Sequence, residues 1–285
     1  MDEALMAFSG KRDPVAALAE YVDPEDVVGL KVNALASPGH PFLPALAWRL
    51  AEHLMTLGVP PYNIIVYDQY GDRMRKGGYR YRDRKGHVRV LYHRRVGYVR
   101  KSVHFDKVRA LRWSKVLTST TAVLNLCVPK DHDLSGITGA LKNMAFGNID
   151  RVPEFHKVIH QAIPWMYGQP EIQDRTRLCI CDATRVLYEG GPQDKPKTRV
   201  PYGAVLVAED PVAMDWAVLD LVNEARVRAG LPLIERLRPP HFLHESAKRG
   251  LGAPFARLRW TRITNGGPAT PYVPRHIDAG FANRI

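Results

Sequence analysis

The chain predicts an α/β fold: a mixed, mostly parallel sheet flanked by helices, with a basic β-hairpin insertion. Three observations carry that expectation. Short apolar runs alternate with stretches whose apolar residues recur at helical spacing, the order that builds parallel strand–helix–strand units. Hydrophobic residues make up 45% of the 285 and charged residues 25%, the balance of a globular protein rather than a disordered one. The net charge of +12 is also concentrated: residues 73–115 hold sixteen Lys and Arg against only Asp83 and Asp106, so the rest of the chain is close to neutral. Residues 1–285 read as one domain, with the insertion at about 73–115 and a C-terminal extension at 241–285.

In chain order, "DVVGLKVN" (26–33) reads as a strand that ends in polar residues. "HPFLPALAWRLAEHLMTLG" (40–58) has helical spacing, and Gly58 is placed to stop it. "NIIVYD" (63–68) is a second strand, short and apolar, finishing on Asp68. Within the basic segment, "GHVRVLYH" and "VGYVRKSVHF" alternate as the two arms of a hairpin should. "TAVLNLCVP" (121–129) is the third core strand. Helical spacing returns in "GITGALKNMAFG" and "EFHKVIHQAIPWM". There follow "TRLCICDA" (176–183), the loop "YEGGPQDKPKTRVPYG", the strand "AVLVAED" (204–210) and a long helix over 210–230, capped by Asp210 with Pro211 beside it.

Several function classes are disfavoured. No apolar run approaches the roughly 18 to 20 residues of a membrane-spanning helix. The first residues are acidic where a secretion signal is basic, so the residues as written predict a soluble cytoplasmic chain. A twin-arginine leader removed from its start would instead make it an exported one. Cys127, Cys179 and Cys181 fall in apolar strands, which makes them core thiols rather than a disulfide framework, and alternation puts Cys179 and Cys181 on one face. The nucleophile elbow G-x-S-x-G is missing, as are the P-loop spacing and the dinucleotide fingerprint after the first strand.

Polar residues recur just after strands: Asn33, Asp68, Lys130 and His132, Asp182, Asp210. The carboxyl edge of an open α/β sheet is where ligands bind. The densest cluster is "VPKDHDLSGITGALKNMAFG" (128–147). Gly136 and Gly139 are read as a tight turn that exposes backbone N–H groups at a helix start, a ready anion site. Lys130 and Lys142 add positive charge, Thr138 and Asn143 add hydrogen bonds, and Thr138 and Lys142 fall on one helical face. The alternative is that these groups merely cap a helix.

Other clusters weigh less. His156 and His160 are four apart, the spacing of metal-binding helices, but Lys157 stands where a zinc protease has glutamate. His241, His244 and Glu245 fit helix capping better than ligation. Asp182 and Asp215 can hold a divalent metal ion at the sheet edge; Asp215 can equally complement a helix dipole. The basic segment interleaves four tyrosines with arginines in "GGYRYRDRKGHVRVLYHRRVGYVRK". Nucleic acid or an anionic membrane surface is open to it, as is docking to an acidic or redox protein, and so is a rim that draws anions inward. No nucleic-acid motif accompanies it, so nucleic acid is not favoured.

"VPKDHDLSGITGALKNMAFG", "PEFH", "LCICDATRVLYEGGP" and "DPVAMD", with "GLKVN", "IIVYD" and "ESAKRGLG", are together similar to the successive signatures of domain-of-unknown-function family 362, over roughly residues 26–252. Such proteins often carry twin-arginine leaders or ferredoxin-like iron–sulfur domains, which are not seen in this sequence. The resemblance implies an α/β fold and a pocket, and it supplies no reaction. It carries over Lys31, Asn33, Lys130, His132, Thr138, Lys142, Asn143 and His156, then Asp182, Gly191, Pro192 and Asp215.

These readings converge on an enzyme for a small anionic metabolite, a carboxylate or phosphate. Lys31, Lys130, Lys142 and the 136–139 turn would hold the anion, and His132 would act as general acid or base, because its unperturbed pKa lies nearest neutrality. A metal ion could assist acid–base or redox chemistry. Two rivals stay open: a non-catalytic carrier of a metal, cofactor or anion in the same pocket, and a nucleic-acid or acidic-surface binder that works through 73–115.

Overall fold

The computed structural model describes residues 1–36, 39–264 and 267–283. The chain opens with helices α1 (Asp2–Ser9) and α2 (Pro14–Leu18), strand β1 (Val28–Lys31) and helix α3 (Phe42–Leu57). Strand β2 (Ile64–Asp68) leads into α4 (Gly71–Lys76), β3 (Arg89–Tyr92), α5 (His93–Val96), β4 (Val103–His104), β5 (Ala110–Leu111) and α6 (Lys115–Ser119). Next come β6 (Ala122–Cys127), β7 (Lys130–His132), β8 (Gly136–Thr138), α7 (Ala140–Ala145), α8 (Ile159–Tyr167) and α9 (Pro170–Gln173). The long strands β9 (Thr176–Leu187) and β10 (Arg199–Ala208) precede α10 (Pro211–Arg228), α11 (Ile234–Leu237), α12 (Phe242–Lys248), β11 (Trp260–Arg262), β12 (Thr270–Tyr272) and α13 (Ala279–Ala282).

The main sheet has eight strands in the order β3-β2-β1-β6-β9-β7-β8, with β10 also on β9. β3, β2, β1, β6 and β9 run parallel, and β10 is antiparallel to β9. The α/β expectation therefore holds. Alternation sorts the side chains of each strand onto two faces. Leu30, Leu124, Leu178 and Ile180 pack with α3 on one face, while Val123, Cys179 and Cys181 pack with α7, α8, α10 and α12 on the other. Cys179 and Cys181 thus share a face and are buried free thiols. Gly29 in β1 leaves room for the Tyr67 ring, whose edge would sit 2.8 Å from a Cβ there.

The helix boundaries follow local rules. Gly58 closes α3 with a left-handed φ of 109°, and Asp210 caps α10 by accepting from the Val212 and Ala213 N–H groups, with Pro211 in the first turn. The basic segment differs from the expected hairpin. Its first arm is β3, which extends the main sheet parallel to β2 and also makes an antiparallel bridge from Val90 to Arg82, while the two-residue strands β4 and β5 pair as a separate short hairpin. Alternation was present in both arms, but β3 covers the edge of β2 instead of pairing with the second arm. The C-terminal extension adds Phe242, Leu243, Leu258 and Phe281 to the core around α8 and α10. Among the described residues no helix is long and apolar enough to cross a membrane.

Candidate functional site

Parallel strands place their carboxyl ends together, so β1, β2 and β6 deliver Lys31, Asp68 and, through β7, Lys130 and His132 to one edge. All four are buried. Lys31 Nζ donates to Asp68 Oδ1 at 2.7 Å, to the Val32 carbonyl at 2.9 Å and to Asn143 Oδ1 at 3.2 Å. Asp68 is held in turn by the Ala34 and Gln69 N–H groups at 2.7 and 2.8 Å. Asn143 reaches Asn125 Oδ1 at 2.7 Å, and Asn125 Nδ2 donates to the Ala140 carbonyl at 2.9 Å. Gly147 is part of this arrangement: a Cβ there would lie 2.6 Å from Lys31 Nζ. Lys31 is therefore a fully satisfied, charge-balanced lysine.

Lys130 and Lys142 are not balanced. Lys130 Nζ donates to Asn33 Oδ1 at 3.0 Å and to the Pro192 carbonyl at 3.1 Å, both neutral oxygens. Lys142 is 9% exposed and has no hydrogen-bond partner among the described residues; its ammonium lies 5.1 Å from the centre of the Phe146 ring. Burial brings the Lys130 ammonium down to about 7, with nearby Lys31 adding to the fall and Asp68 and Asp131 opposing it. Burial, then Lys130, brings Lys142 to about 7 as well.

His132 sits between them in charge. Its Nδ1 accepts from the Leu134 and Ser135 N–H groups at 3.1 and 3.3 Å, which leaves the proton of the neutral ring on Nε2. The Asp133 carboxylate also lies 3.0 Å from Nδ1 but is 63% exposed, where such a pairing contributes little. Burial, followed by Lys142 and Lys130, holds His132 far below the usual histidine range. His156 stacks on it with centroids 6.2 Å apart and is itself lowered, by burial and then by Lys142.

The glycine-rich turn is built differently from its expected form. Residues 130–138 make an antiparallel hairpin in which Lys130 faces Thr138 and His132 faces Gly136, and Gly136 takes φ +80° against the Arg238 carbonyl. Thr138 is thus a strand residue and not a helical neighbour of Lys142; its hydroxyl is buried without a hydrogen-bond partner among the described residues. The helix start that was expected to hold an anion already holds Asp215, whose carboxylate accepts from the Ala140 N–H and, at 3.2 Å, from the Leu141 N–H. A Cβ at Gly139 would overlap that carboxylate. Burial raises Asp215 to about 8 against the pull of those two donors.

Asp182 and Asp215 do not come together. Asp182 shares the β9 face of Leu178 and Ile180, against α3, whereas Asp215 lies on α10 across the sheet. Among the described residues no three His, Cys, Asp or Glu side chains converge as a metal-binding set. His156 and His160 also part company, because residues 152–158 form a 3-10 turn; His160 packs instead on His241, centroids 5.5 Å apart. In the basic segment Arg95 lies over Tyr81 at 3.8 Å and Arg94 over the preceding Tyr70 at 4.6 Å, and Tyr79 and Tyr92 are buried.

Sequence reasoning left out His40, Asn125, Gly147 and Arg238 from the site. Arg238 donates at 3.0 Å to Asp131, whose other oxygen accepts from the Gly191 N–H at 2.6 Å, so the "GGP" loop is fastened to the Lys-x-His hairpin. Gly147 could have been found as a small residue one helical turn past Asn143; His40 offered no pattern.

No curated protein and no solved structure matches the chain. Residues 28–220, from β1 into α10, match the family model described as a domain of unknown function, DUF362, and with that match covering most of its length the chain belongs to that family.

Proposed function

We propose that the sheet edge binds a small anionic metabolite, bearing a carboxylate or phosphate, and that the chain is an enzyme acting on it by acid–base chemistry. One observation carries the reading: buried positive charge with no carboxylate bonded directly to it. Lys31 has Asp68, but among the described residues Lys130 donates only to neutral oxygens and Lys142 to none. An unpaired buried charge costs several kcal/mol, and an anion between these lysines offsets that cost.

The roles differ from those expected. His132 is kept neutral, so it serves as an Nε2–H donor toward negative charge that develops on the ligand, and not as the titrating base. Lys130 and Lys142, both near 7, are the groups that can accept and return a proton at neutral pH. Proton abstraction beside a carboxylate, or isomerisation, fits these parts. Asp182 and Asp215, on opposite faces, give a metal ion no joint site.

The test is to purify the protein without chelators, search the denatured extract for retained anions by mass spectrometry, and assay any that are found for turnover. Inorganic phosphate and citrate are titrated in parallel by calorimetry into wild type, Lys130→Met and Lys142→Met. Binding near one per chain that weakens at least tenfold in both variants supports the site. Failure of every retained or added anion to bind rejects it, and binding without turnover leaves a carrier in place of an enzyme.

A further inference from the structure

A second polar pair lies on the α3 face of the sheet, joined to Lys130 by the 188–198 loop: the Pro192 carbonyl accepts from Lys130, and Asp194 and Arg199 pack against Gly39, the neighbour of His40. His40, in the segment between β1 and α3, and Asp182, in β9, are 2% and 0% exposed. His40 Nδ1 and Asp182 Oδ2 face each other at 3.8 Å, too far for a hydrogen bond, and neither atom has a hydrogen-bond partner among the described residues; the Leu43 N–H near Asp182 is taken by the His40 carbonyl at 3.2 Å. The other oxygen of Asp182 is fully used by the Thr184 N–H at 3.0 Å and the Thr184 hydroxyl at 2.6 Å. Buried polar atoms are nearly always satisfied, so two facing orphans mark a position for something bound.

The gap has a defined chemistry. An oxygen about 2.8 Å from both atoms fits a 3.8 Å separation. It must donate to a carboxylate that has a free oxygen and can accept from an imidazole N–H, and a hydroxyl group does both. The surroundings are cationic: Lys130, Arg199 and Arg185 are the charges that, after burial, hold His40 down to about 3. The Arg199–Asp194 pair packs against Gly39, beside His40, where a side chain would overlap it.

We propose that His40 and Asp182 form a hydroxyl-recognising subsite next to Lys130, so that the ligand of this edge is a hydroxylated anion. This rests on the anion site of the preceding section and adds the group that distinguishes one anion from another. Lys130 meets the charge, and the His40–Asp182 pair meets a hydroxyl on the same molecule. Hydroxycarboxylates and polyol phosphates share that chemistry.

Matched probes separate the claims: malate against succinate, and glycerol 3-phosphate against n-propyl phosphate, each titrated by calorimetry into the full chain. The hydroxylated member of at least one pair is expected to bind about tenfold tighter or more, since a site built around a hydroxyl leaves its polar groups unpaired with the analogue that lacks it. His40→Phe and Asp182→Leu are expected to remove that preference while affinity for the plain anion changes less than about threefold. Equal binding within both pairs by wild type overturns the subsite alone and assigns the gap to an ordered water. Preference that survives in both variants overturns it too. Binding of none of the four probes removes the anion site and the subsite with it. The wild-type comparison stands even where a variant fails to fold.

Discussion

Replacing Lys142 with Met is expected to make the ligand-free protein more stable while abolishing its anion affinity. Methionine keeps the unbranched stem and removes the charge. The ammonium it replaces has no hydrogen-bond partner among the described residues and, by burial and the neighbouring Lys130, falls from 10.5 to about 7. A fall of that size corresponds to roughly 5 kcal/mol against the charged form. Lys142 keeps 9% of its surface in solvent, and relaxation reduces the figure further. Replacing buried charge by apolar groups typically gains about 1–4 kcal/mol, and we expect the same here, or about 2–4 °C in Tm for each kcal/mol. The pH dependence identifies the cause. Between about 7 and 10.5 the unfolded lysine holds a proton that the folded one has released, so wild-type stability climbs with pH across that window. The penalty is full below about 7 and gone above 10.5, and the advantage of the variant should shrink accordingly. Urea melts followed by circular dichroism at pH 6, 7.5 and 9, with and without phosphate, measure it. A variant less stable than wild type at pH 6, or an advantage that does not change with pH, would refute the reasoning.

Asp215→Asn tests the opposite sign. The Asp215 carboxyl is raised to about 8, so its contribution is full below the ordinary 3.8 and is lost as pH rises through 8; the variant should lose about 1 kcal/mol of capping but show a flatter stability profile between pH 4 and 8 by chemical denaturation. Gly147→Ala places a methyl 2.6 Å from Lys31 Nζ and should cost about 1–3 kcal/mol in melts and weaken phosphate binding, whereas unchanged affinity would separate Lys31 from the site. Gln at positions 80, 82, 84, 94 and 95 in place of arginine should leave anion affinity within about twofold and slow association only, as read by stopped flow at low and high salt. A loss of equilibrium binding there would move the site into the basic segment.

The sheet was legible because burial on both faces writes itself as unbroken apolar runs: β1, β2 and β6 fall inside the segments expected of them, and β9 starts where expected but runs four residues further, to Leu187. The hairpin of 130–138 was not, because Gly136 and Gly139 serve two different purposes that look alike in sequence. Gly136 supplies a left-handed turn residue, and Gly139 makes room for a carboxylate 76 positions further along the chain. That long-range partner, Asp215, turned a helix start that looked ready for a ligand into one already capped. The lysines were visible as lysines, but their charge balance depends on which of them meets Asp68. Only the β1–β2 register, which sets Lys31 beside Tyr67 and so next to Asp68, decides that Lys31 is neutralised and Lys130 is not. His40 and Asp182 are far apart in the chain and follow no spacing rule; their pairing appears only when α3 packs on β9.

A buried site raises the question of entry, and the bonds over Lys130 narrow the answer. The loop at 188–198 is fastened to the site by the Gly191 N–H on Asp131, by Arg199 on Asp194, and by the Pro192 carbonyl on Lys130 itself. An anion that reaches Lys130 competes with Pro192 for the same ammonium, so ligand entry and release of this loop draw on one bond. The Gly191 amide reports on it directly. If the loop is the entrance, that amide opens by local motion and exchanges its hydrogen faster than core amides such as Val66 or Leu124, which pair within the sheet. Saturating phosphate should then change exchange at Gly191 and leave Val66 and Leu124 as they were. Exchange at Gly191 that tracks global unfolding, with or without the anion, would mean that the ligand reaches Lys130 by another path, and the exposed rim around Asp133 and His156 would be the place to look next.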